Sequence, residues 1–254
     1  MKNILLKIIL LLGAACFSVF AHSENNAAQQ KTEIQTPNRT ELVFILDRSG
    51  SMNGLESDTI GGYNALLSKQ KEENKGEVFV TTVLFDDQYE LLHNRLTIAD
   101  IKPITDKEYF VRGSTALLDA IGKTITQTKT NQNKLKQAEK ADKVLFVIIT
   151  DGMENASREY SLKAVKNLVE TQKEKDKWEF LFLGANIDAI STAESFGISS
   201  SKAVKYRSDS SGTKKNYEVL NKAITDVRSG SELQDTWKQE IEEDYKNREK
   251  EDKK

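Results

Sequence analysis

Asp47, Ser49 and Ser51 occupy alternate positions of one short segment, and each carries a side-chain oxygen. Alternate side chains of an extended chain point the same way, so these three oxygens can converge on one point. One carboxylate and two hydroxyls form a hard donor set that suits Mg²⁺, Mn²⁺ or Ca²⁺. Mg²⁺ is favoured, because a small site with few carboxylates leaves waters on an octahedral ion. Zinc and copper are disfavoured, since the chain has two histidines and one cysteine, Cys16.

Two later turns offer further oxygens. Thr115 stands just before an apolar helical segment, and Asp151 ends an apolar run and precedes Gly152. Each has an ordinary explanation: Ser114 or Thr115 would serve as a helix N-cap, and Asp-Gly is a common turn pair. The three turns together nevertheless predict one metal site at one edge of a sheet, with the ligands Asp47, Ser49, Ser51, Thr115 and Asp151.

Buried strands must position these turns. The uninterrupted apolar run from Leu42 to Leu46 is typical of a strand covered on both faces, as in a parallel sheet. Similar runs span Val78–Phe85, Val144–Ile149, Trp178–Leu183 and, more weakly, Ala203–Arg207. Segments with helical periodicity separate most of them. This alternation predicts an α/β, Rossmann-like, doubly wound sheet with helices on both faces and ligand sites at its carboxyl edge.

One connection is too short for a crossover helix. Three residues, 86–88, separate Val78–Phe85 from Tyr89–Leu96, so we expect an antiparallel edge strand in an otherwise mostly parallel sheet. The first helix follows Ser51, and its N-cap is expected at Ser57 or Asp58. Beyond Phe196 the pattern is weaker, and a helix is expected there over Asn216–Val227.

The N-terminal residues 1–21 have the features of a secretory signal peptide. An uncharged apolar run from Ile8 to Phe20 ends in small residues suited to cleavage after Ala21. The run is too short to span a bilayer, which predicts a periplasmic or secreted protein without a permanent membrane span. An alternative is lipid attachment at Cys16, although Gly13 stands where a lipobox has an aliphatic residue.

The remaining chain divides into three predicted parts. Residues 22–39 are polar and read as a flexible linker, residues 40–207 form the α/β domain, and residues 208–254 form a charged helical extension. The extension carries an apolar stripe, Leu233, Trp237, Ile241 and Tyr245, that either packs onto the domain or binds a partner helix. The net charge of −2, with interspersed signs, argues against nucleic-acid binding.

The three turns resemble those of the von Willebrand factor type A (VWA) domains, here of a bacterial exported type. In that family the first strand ends in Asp-x-Ser-x-Ser, and two later loops complete a metal-ion-dependent adhesion site. The resemblance covers about Thr40 to Arg207: residues 44–52 are close to the family's form, residues 113–115 supply its threonine, and residues 150–152 supply its second aspartate.

The resemblance implies roles for the five residues. Ser49, Ser51 and, in the ligand-bound state, Thr115 would contact the ion directly, whereas Asp47 and Asp151 would act through water. Neutral hydroxyls quench the field of a dication little, so an open coordination position favours an anionic oxygen from outside. An aspartate or glutamate of a partner protein is the expected ligand.

We therefore expect a non-catalytic, metal-dependent protein-binding module of the cell envelope. Two alternatives stay open. One is a magnesium-dependent phosphoryl-transfer enzyme with Asp47 as nucleophile, although Ser49 stands where such phosphatases usually have a second aspartate. The other is a structural envelope protein with a vestigial metal site. The partner, the metal bound in the cell and the oligomeric state stay open as well.

Overall fold

The computed structural model describes residues 38–73 and 75–252. Its strands are β1 (Arg39–Asp47), β2 (Glu77–Phe85), β3 (Tyr89–Thr97), β4 (Lys143–Thr150), β5 (Glu179–Gly184) and β6 (Ala203–Lys205). Its helices are α1 (Glu56–Glu72), α2 (Leu117–Lys134), α3 (Leu162–Lys175), α4 (Ala189–Ser195), α5 (Ser210–Arg228) and α6 (Gln239–Asp252). The predicted signal peptide, Cys16 and the predicted linker up to residue 37 lie outside the described residues. Among the described helices, none is long and apolar enough to cross a bilayer.

The strands form one sheet in the order β3-β2-β1-β4-β5-β6. β2 and β3 are antiparallel, and all other neighbouring strands are parallel. This arrangement confirms the predicted α/β sheet with one antiparallel edge strand. The register pairs Asp47 with Phe85 and Leu46 with Ile149. The carboxyl ends of β1, β2 and β4 therefore lie side by side, and the loops that follow them meet at one edge.

Strand β1 is buried on both faces. Leu42, Phe44 and Leu46 belong to a core shared with α1 and α5, whereas Val43 and Ile45 belong to a second core shared with α2 and α3. None of these five side chains is more than 1% exposed. A strand covered on both faces has no solvent-facing positions, which explains its continuous apolar run. Full burial of each such side chain stabilises the fold by about 1.5 to 3 kcal/mol.

Helix α1 begins earlier than the predicted caps. Its N-cap position is Leu55, so the prediction of Ser57 or Asp58 as N-cap is wrong. The Thr59 amide donates to the Leu55 carbonyl at 2.8 Å, and this bond closes the first turn ahead of the predicted caps. Asp58 instead lies within the first turn, together with Glu56, where a carboxylate interacts favourably with the helix dipole.

Helix α5 also begins earlier than the predicted Asn216–Val227. It begins at Ser210 because the Asp209 carboxylate accepts a hydrogen bond from the Gly212 amide at 2.9 Å and caps the helix. Several of its side chains are buried in the core on the α1 face, among them Tyr217, Leu220, Ile224 and Val227.

The apolar stripe of the predicted C-terminal extension packs onto the sheet domain. Leu233 and Ile241 are buried in the core on the α1 face, and Trp237 packs against it. The Lys205 ammonium lies 5.1 Å from the centre of the Tyr245 ring. The core is thus continuous across residue 207, and the domain boundary predicted there stays a prediction.

Arg228, the last residue of α5, ties that helix to the end of α1. Its side chain is 1% exposed. Its guanidinium donates to the carbonyl and side-chain oxygens of Gln70, each at 2.7 Å, and to the carbonyls of Glu73 at 2.9 Å and Lys75 at 3.1 Å. The last carbonyls of a helix have no partner within it. One buried cation therefore satisfies the end of α1 and fixes α5 against it.

We expect Arg228→Ala to lower the free energy of unfolding by about 3 kcal/mol, because several buried acceptors lose their donor. Urea denaturation followed by circular dichroism measures the change. Arg228→Lys is the matched control, and an intermediate loss is expected because an ammonium cannot reproduce the planar fork. A value for Arg228→Ala within about 0.5 kcal/mol of wild type would contradict this role.

Candidate metal centre

The loop after β1 brings Asp47, Ser49 and Ser51 together. Asp47 is 1% exposed, and its Oδ1 accepts a hydrogen bond from the Ser49 amide at 2.7 Å. Ser49 has extended backbone, and Gly50–Met52 then form a single 3-10 turn. This turn brings Ser51 back toward Ser49, and the two Oγ atoms lie 3.1 Å apart. Two of the predicted hydroxyl donors are therefore neighbours.

Thr115 reaches the same place from the loop before α2. Its Oγ1 donates to Ser49 Oγ at 3.0 Å. The N-cap position of α2 is Ala116, with no side-chain capping bond, so the alternative that Ser114 or Thr115 caps this helix is wrong. The Thr115 hydroxyl is directed to Ser49 instead. We call Ser49, Ser51 and Thr115 the hydroxyl cluster.

Two buried carboxylates, Asp47 and Asp151, complete the predicted set. Thr150 Oγ1 donates to Asp47 Oδ2 at 2.5 Å, so both Asp47 oxygens accept hydrogen bonds. Asp151 is 1% exposed, and its Oδ2 accepts from Ser208 Oγ at 2.8 Å. Its Oδ1 is buried without a hydrogen-bond partner. A buried acceptor left in this state is unfavourable and uncommon, and a nearby cation would relieve it.

Gly152 joins the Asp151 loop to the hydroxyl cluster. A Cβ at this position would lie 2.8 Å from both Ser51 Oγ and Thr115 Oγ1. Glycine is therefore required for the backbone to approach the two hydroxyls this closely. The structure thus gathers all five predicted residues at the carboxyl edge of the sheet.

The electrostatics and the donor chemistry of this cluster fit a hard divalent cation. Burial, with a smaller contribution from the charge of Asp151, raises the pKa of Asp47 to about 6 against the hydrogen bonds from Thr150 and Ser49. Two carboxylates would balance one dication. In residues 38–73 and 75–252, no three His, Cys, Asp or Glu side chains are grouped to hold a metal. The available donors are hydroxyls and two carboxylates, which suit Mg²⁺, Mn²⁺ or Ca²⁺.

A buried ion-pair network holds the first two loops together, and the sequence patterns did not predict it. Arg48 and Asp86 have fully buried side chains and are joined by a bond of 2.8 Å from Nε to Oδ2. Arg112 Nε donates to the same oxygen at 2.8 Å. Burial raises the pKa of Asp86, but the hydrogen bonds from Arg112 and Arg48 outweigh it and hold the pKa below its ordinary value. The Arg112 amide also donates to the Arg48 carbonyl at 2.9 Å.

The loop after Asp151 is attached to α2 through two further carboxylates. Asp119 accepts hydrogen bonds from the three backbone amides of residues 158–160, at 2.8 to 2.9 Å. Glu154 in the loop accepts from the Leu118 amide at the start of α2, at 2.9 Å. The helix that follows Thr115 therefore also holds the loop that carries Gly152.

Sequence reasoning missed Thr150 and Ser208 as partners of the two site carboxylates. Thr150 is the last residue of β4 and directly precedes Asp151, so the sequence alone could have predicted that it lies beside the site. Ser208 lies 57 residues beyond Asp151 and one residue past the predicted end of the domain. No local pattern marks it.

No family model matches the chain, and no curated protein matches it. Solved structures do. The pilus adhesin SpaC from Lactobacillus rhamnosus GG, in an open conformation, is 12% identical with a TM-score of 0.55, over 74% of this chain and 30% of that one. The PilB minor pilin from Streptococcus sanguinis is 12% identical with a TM-score of 0.52, over 75% and 62%. A von Willebrand factor type A structure from Catenulispora acidiphila is 12% identical with a TM-score of 0.51, over 74% and 42%.

These likenesses concern the fold. At such low identity they show the fold alone, a VWA-like α/β fold, in agreement with the sheet order and the antiparallel edge pair described above. The chain spans less than two thirds of each of these three neighbours.

We expect Asp119→Ala to lower the free energy of unfolding by about 2 kcal/mol at about pH 7, because three backbone amides lose their acceptor. Burial raises the pKa of Asp119, but the three amide hydrogen bonds and Lys123 hold it below its ordinary value of 3.8. The stabilisation by Asp119 is therefore complete at pH values above the ordinary pKa of an aspartate. It is lost as the pH falls through the lower pKa that Asp119 has in the folded state.

Urea denaturation of both proteins across this pH range measures the effect. The difference between wild type and Asp119→Ala should stay constant down to about pH 4 and shrink below it. Asp119→Asn is the matched control, since it keeps the size and removes the charge. The difference in unfolding free energy between wild type and Asp119→Ala could instead stay the same from about pH 7 down to the lowest pH at which both proteins fold. That result would contradict a stabilising role for the charged form of Asp119.

Proposed function

We propose that this chain is a non-catalytic protein-binding module that binds its partner through a divalent cation. The observation that carries the proposal is the hydroxyl cluster, which lies beside two buried carboxylates, one with an unpartnered oxygen. Three neutral hydroxyls and two carboxylates form a donor set suited to a hard ion. Mg²⁺ is our first choice, and Mn²⁺ or Ca²⁺ would fit the same donors.

Ser49, Ser51 and Thr115 would hold the ion directly. Both oxygens of Asp47 already accept hydrogen bonds, which supports an indirect role through water for this residue, and we assign the same role to Asp151. When bound, the ion would supply a positive charge that attracts an anionic oxygen from outside the chain. The expected source is an exposed aspartate or glutamate of a partner protein.

The accessibility of Asp47 argues against the phosphoryl-transfer alternative. A carboxylate nucleophile needs an oxygen that can approach the substrate. Asp47 is 1% exposed, and both of its oxygens are engaged by Ser49 and Thr150. Hydrolysis of a generic phosphomonoester that Asp47→Asn abolishes would revive this alternative.

The proposed location is outside the cytoplasm. The predicted signal peptide supports export, and two neighbours by fold are described as a pilus adhesin and a minor pilin. We propose a periplasmic or secreted protein of bacterial type, with lipid attachment at Cys16 as the alternative.

Mg²⁺ is expected to raise the Tm of the chain. At about one hundred times Kd, binding stabilises the folded state by about 2.7 kcal/mol, which corresponds to about 5 to 10 °C at this size. Ser51→Ala should reduce the increase while leaving the fold intact, because Ser51 is exposed. Differential scanning calorimetry with and without Mg²⁺ measures both.

Ser68→Ala is the matched control, because Ser68 is an exposed serine on α1. It should keep the full increase in Tm. A vestigial site predicts no increase in any of the three proteins, and that result would contradict the proposal.

The partner should be captured only when the ion is present. We expect immobilised wild-type chain to retain a protein from a cell-envelope fraction in Mg²⁺, and to release it on addition of chelator. Asp47→Ala, checked for folding by circular dichroism, should retain none, whereas Ser68→Ala should behave as wild type. Capture that persists undiminished in chelator would rule out a metal-dependent interaction.

A further inference from the structure

An open apolar pocket borders the hydroxyl cluster. It has a volume of about 260 Å³. The apolar pocket, as we call it, is lined by residues of α2, the loop after β4, α3 and the segment around α4, chiefly Leu118, Gly152, Met153, Leu162, Ile187 and Phe196. The proposed metal chemistry does not use any of these side chains.

Two large apolar side chains of this pocket are exposed. Met153 is 69% exposed and Leu162 is 44% exposed. In the described part of the chain, Leu96 and Phe110 are the other large apolar residues with comparable exposure. The Arg48 guanidinium lies 5.1 Å from the centre of the Phe110 ring, with which it makes a cation-π contact. Met153 and Leu162 instead share one cavity, and exposed apolar surface around a cavity is typical of an interaction site.

The apolar pocket adjoins the hydroxyl cluster at Gly152. Gly152 lines the pocket, and a Cβ at that residue would lie 2.8 Å from Ser51 Oγ and Thr115 Oγ1. Glu154 and Asp119 attach the loop that carries Met153 to α2. A ligand atom at the hydroxyls would therefore lie about one or two residues of extended chain from the pocket.

The one carboxylate that lines the pocket is occupied by hydrogen bonds within the chain. Glu154 is the only ionisable residue that lines it, and its carboxylate accepts hydrogen bonds from the Leu118 and Ser157 amides and the Ser157 hydroxyl. A second cavity beside the Thr115 loop, of about 510 Å³, is different in character. It is lined by several charged side chains, including Asp87, Lys123, Arg158 and Glu159. The apolar pocket is thus suited to a neutral apolar side chain.

We propose that the apolar pocket receives a large apolar side chain of the partner protein, from a segment in which that side chain lies within about two residues of the acidic residue bound at the hydroxyl cluster. This inference rests on the proposed function and deepens it. The cation selects the acidic residue, and the pocket defines which acidic segments bind. Burial of one such side chain strengthens binding roughly ten- to one-hundred-fold.

A displayed library of random peptides tests the proposal with the purified chain in Mg²⁺. Wild type should enrich peptides with an acidic residue and a Leu, Ile, Met or Phe within about two positions of it. The double variant Met153→Gln and Leu162→Gln should still enrich acidic peptides in Mg²⁺ and lose the apolar preference. Its affinity for the strongest wild-type peptide should fall roughly ten- to one-hundred-fold. Leu96→Gln, an exposed apolar residue on β3, is the matched control and should behave as wild type.

The possible failures are distinguishable. Magnesium-dependent enrichment of acidic peptides without an apolar preference, or with one that the double variant keeps, would overturn this inference and leave the proposed function standing. No magnesium-dependent enrichment of acidic peptides would overturn both. Sedimentation velocity supplies the last test. A wild-type dimer that the double variant dissociates would assign the pocket to a second copy of the chain and would overturn this inference.

Discussion

The burial of β1 is the constraint on which the rest of the structure depends. This strand pairs with a parallel neighbour on each edge and is covered by helices on both faces. Its first polar side chains after the core therefore emerge at its carboxyl end, where Asp47 is found. Because β4 lies parallel beside β1, Asp151 emerges next to that position. Two carboxylates in a buried region repel each other. Hydrogen-bond donors or a cation at this edge of the sheet are therefore needed to stabilise them.

The buried carboxylates around this edge differ in how they are satisfied. Asp86 accepts from two arginines and Asp119 from three backbone amides, and both pKa values are held below the ordinary range. Asp47 has a hydrogen bond to each oxygen, and its pKa is nevertheless raised to about 6 by burial. Asp151 differs from these three, since one of its oxygens lacks a hydrogen-bond partner. The saturated carboxylates Asp86 and Asp119 hold loops in place, whereas the open acceptor of Asp151 would be available to a water molecule held by the proposed ion.

The loops that carry the proposed ligands are held by contacts away from the ligands themselves. The network of Arg48, Asp86 and Arg112 joins the first two loops, and Asp119 joins the third to α2. Side chains held by such contacts lose little freedom on binding, which favours affinity and selectivity. The same hydrogen bonds attach the loop that carries the exposed Met153 to α2. Metal-dependent recognition and apolar selectivity would then depend on one shared loop.

The sequence by itself determined the features that depend on neighbouring residues. Continuous apolar runs predicted the parallel strands of the sheet, because burial on two faces leaves a local pattern. The antiparallel edge strand was predicted from the three-residue connection 86–88, which is too short for a crossover helix. The turns with Asp47 and Asp151 could be assigned to one edge because each directly follows such a run, and the turn with Thr115 because it directly precedes a helix. Helix starts were less predictable, since Leu55 rather than Ser57 or Asp58 stands at the N-cap of α1.

Only the tertiary structure decided which donors each buried charge would meet. The hydrogen bond from Ser208 to Asp151 and the three amides on Asp119 join residues far apart in the chain, and no local spacing encodes them. The apolar pocket is likewise assembled from separate elements. Long-range partners depend on how helices pack across the sheet, and that packing is a property of the whole core.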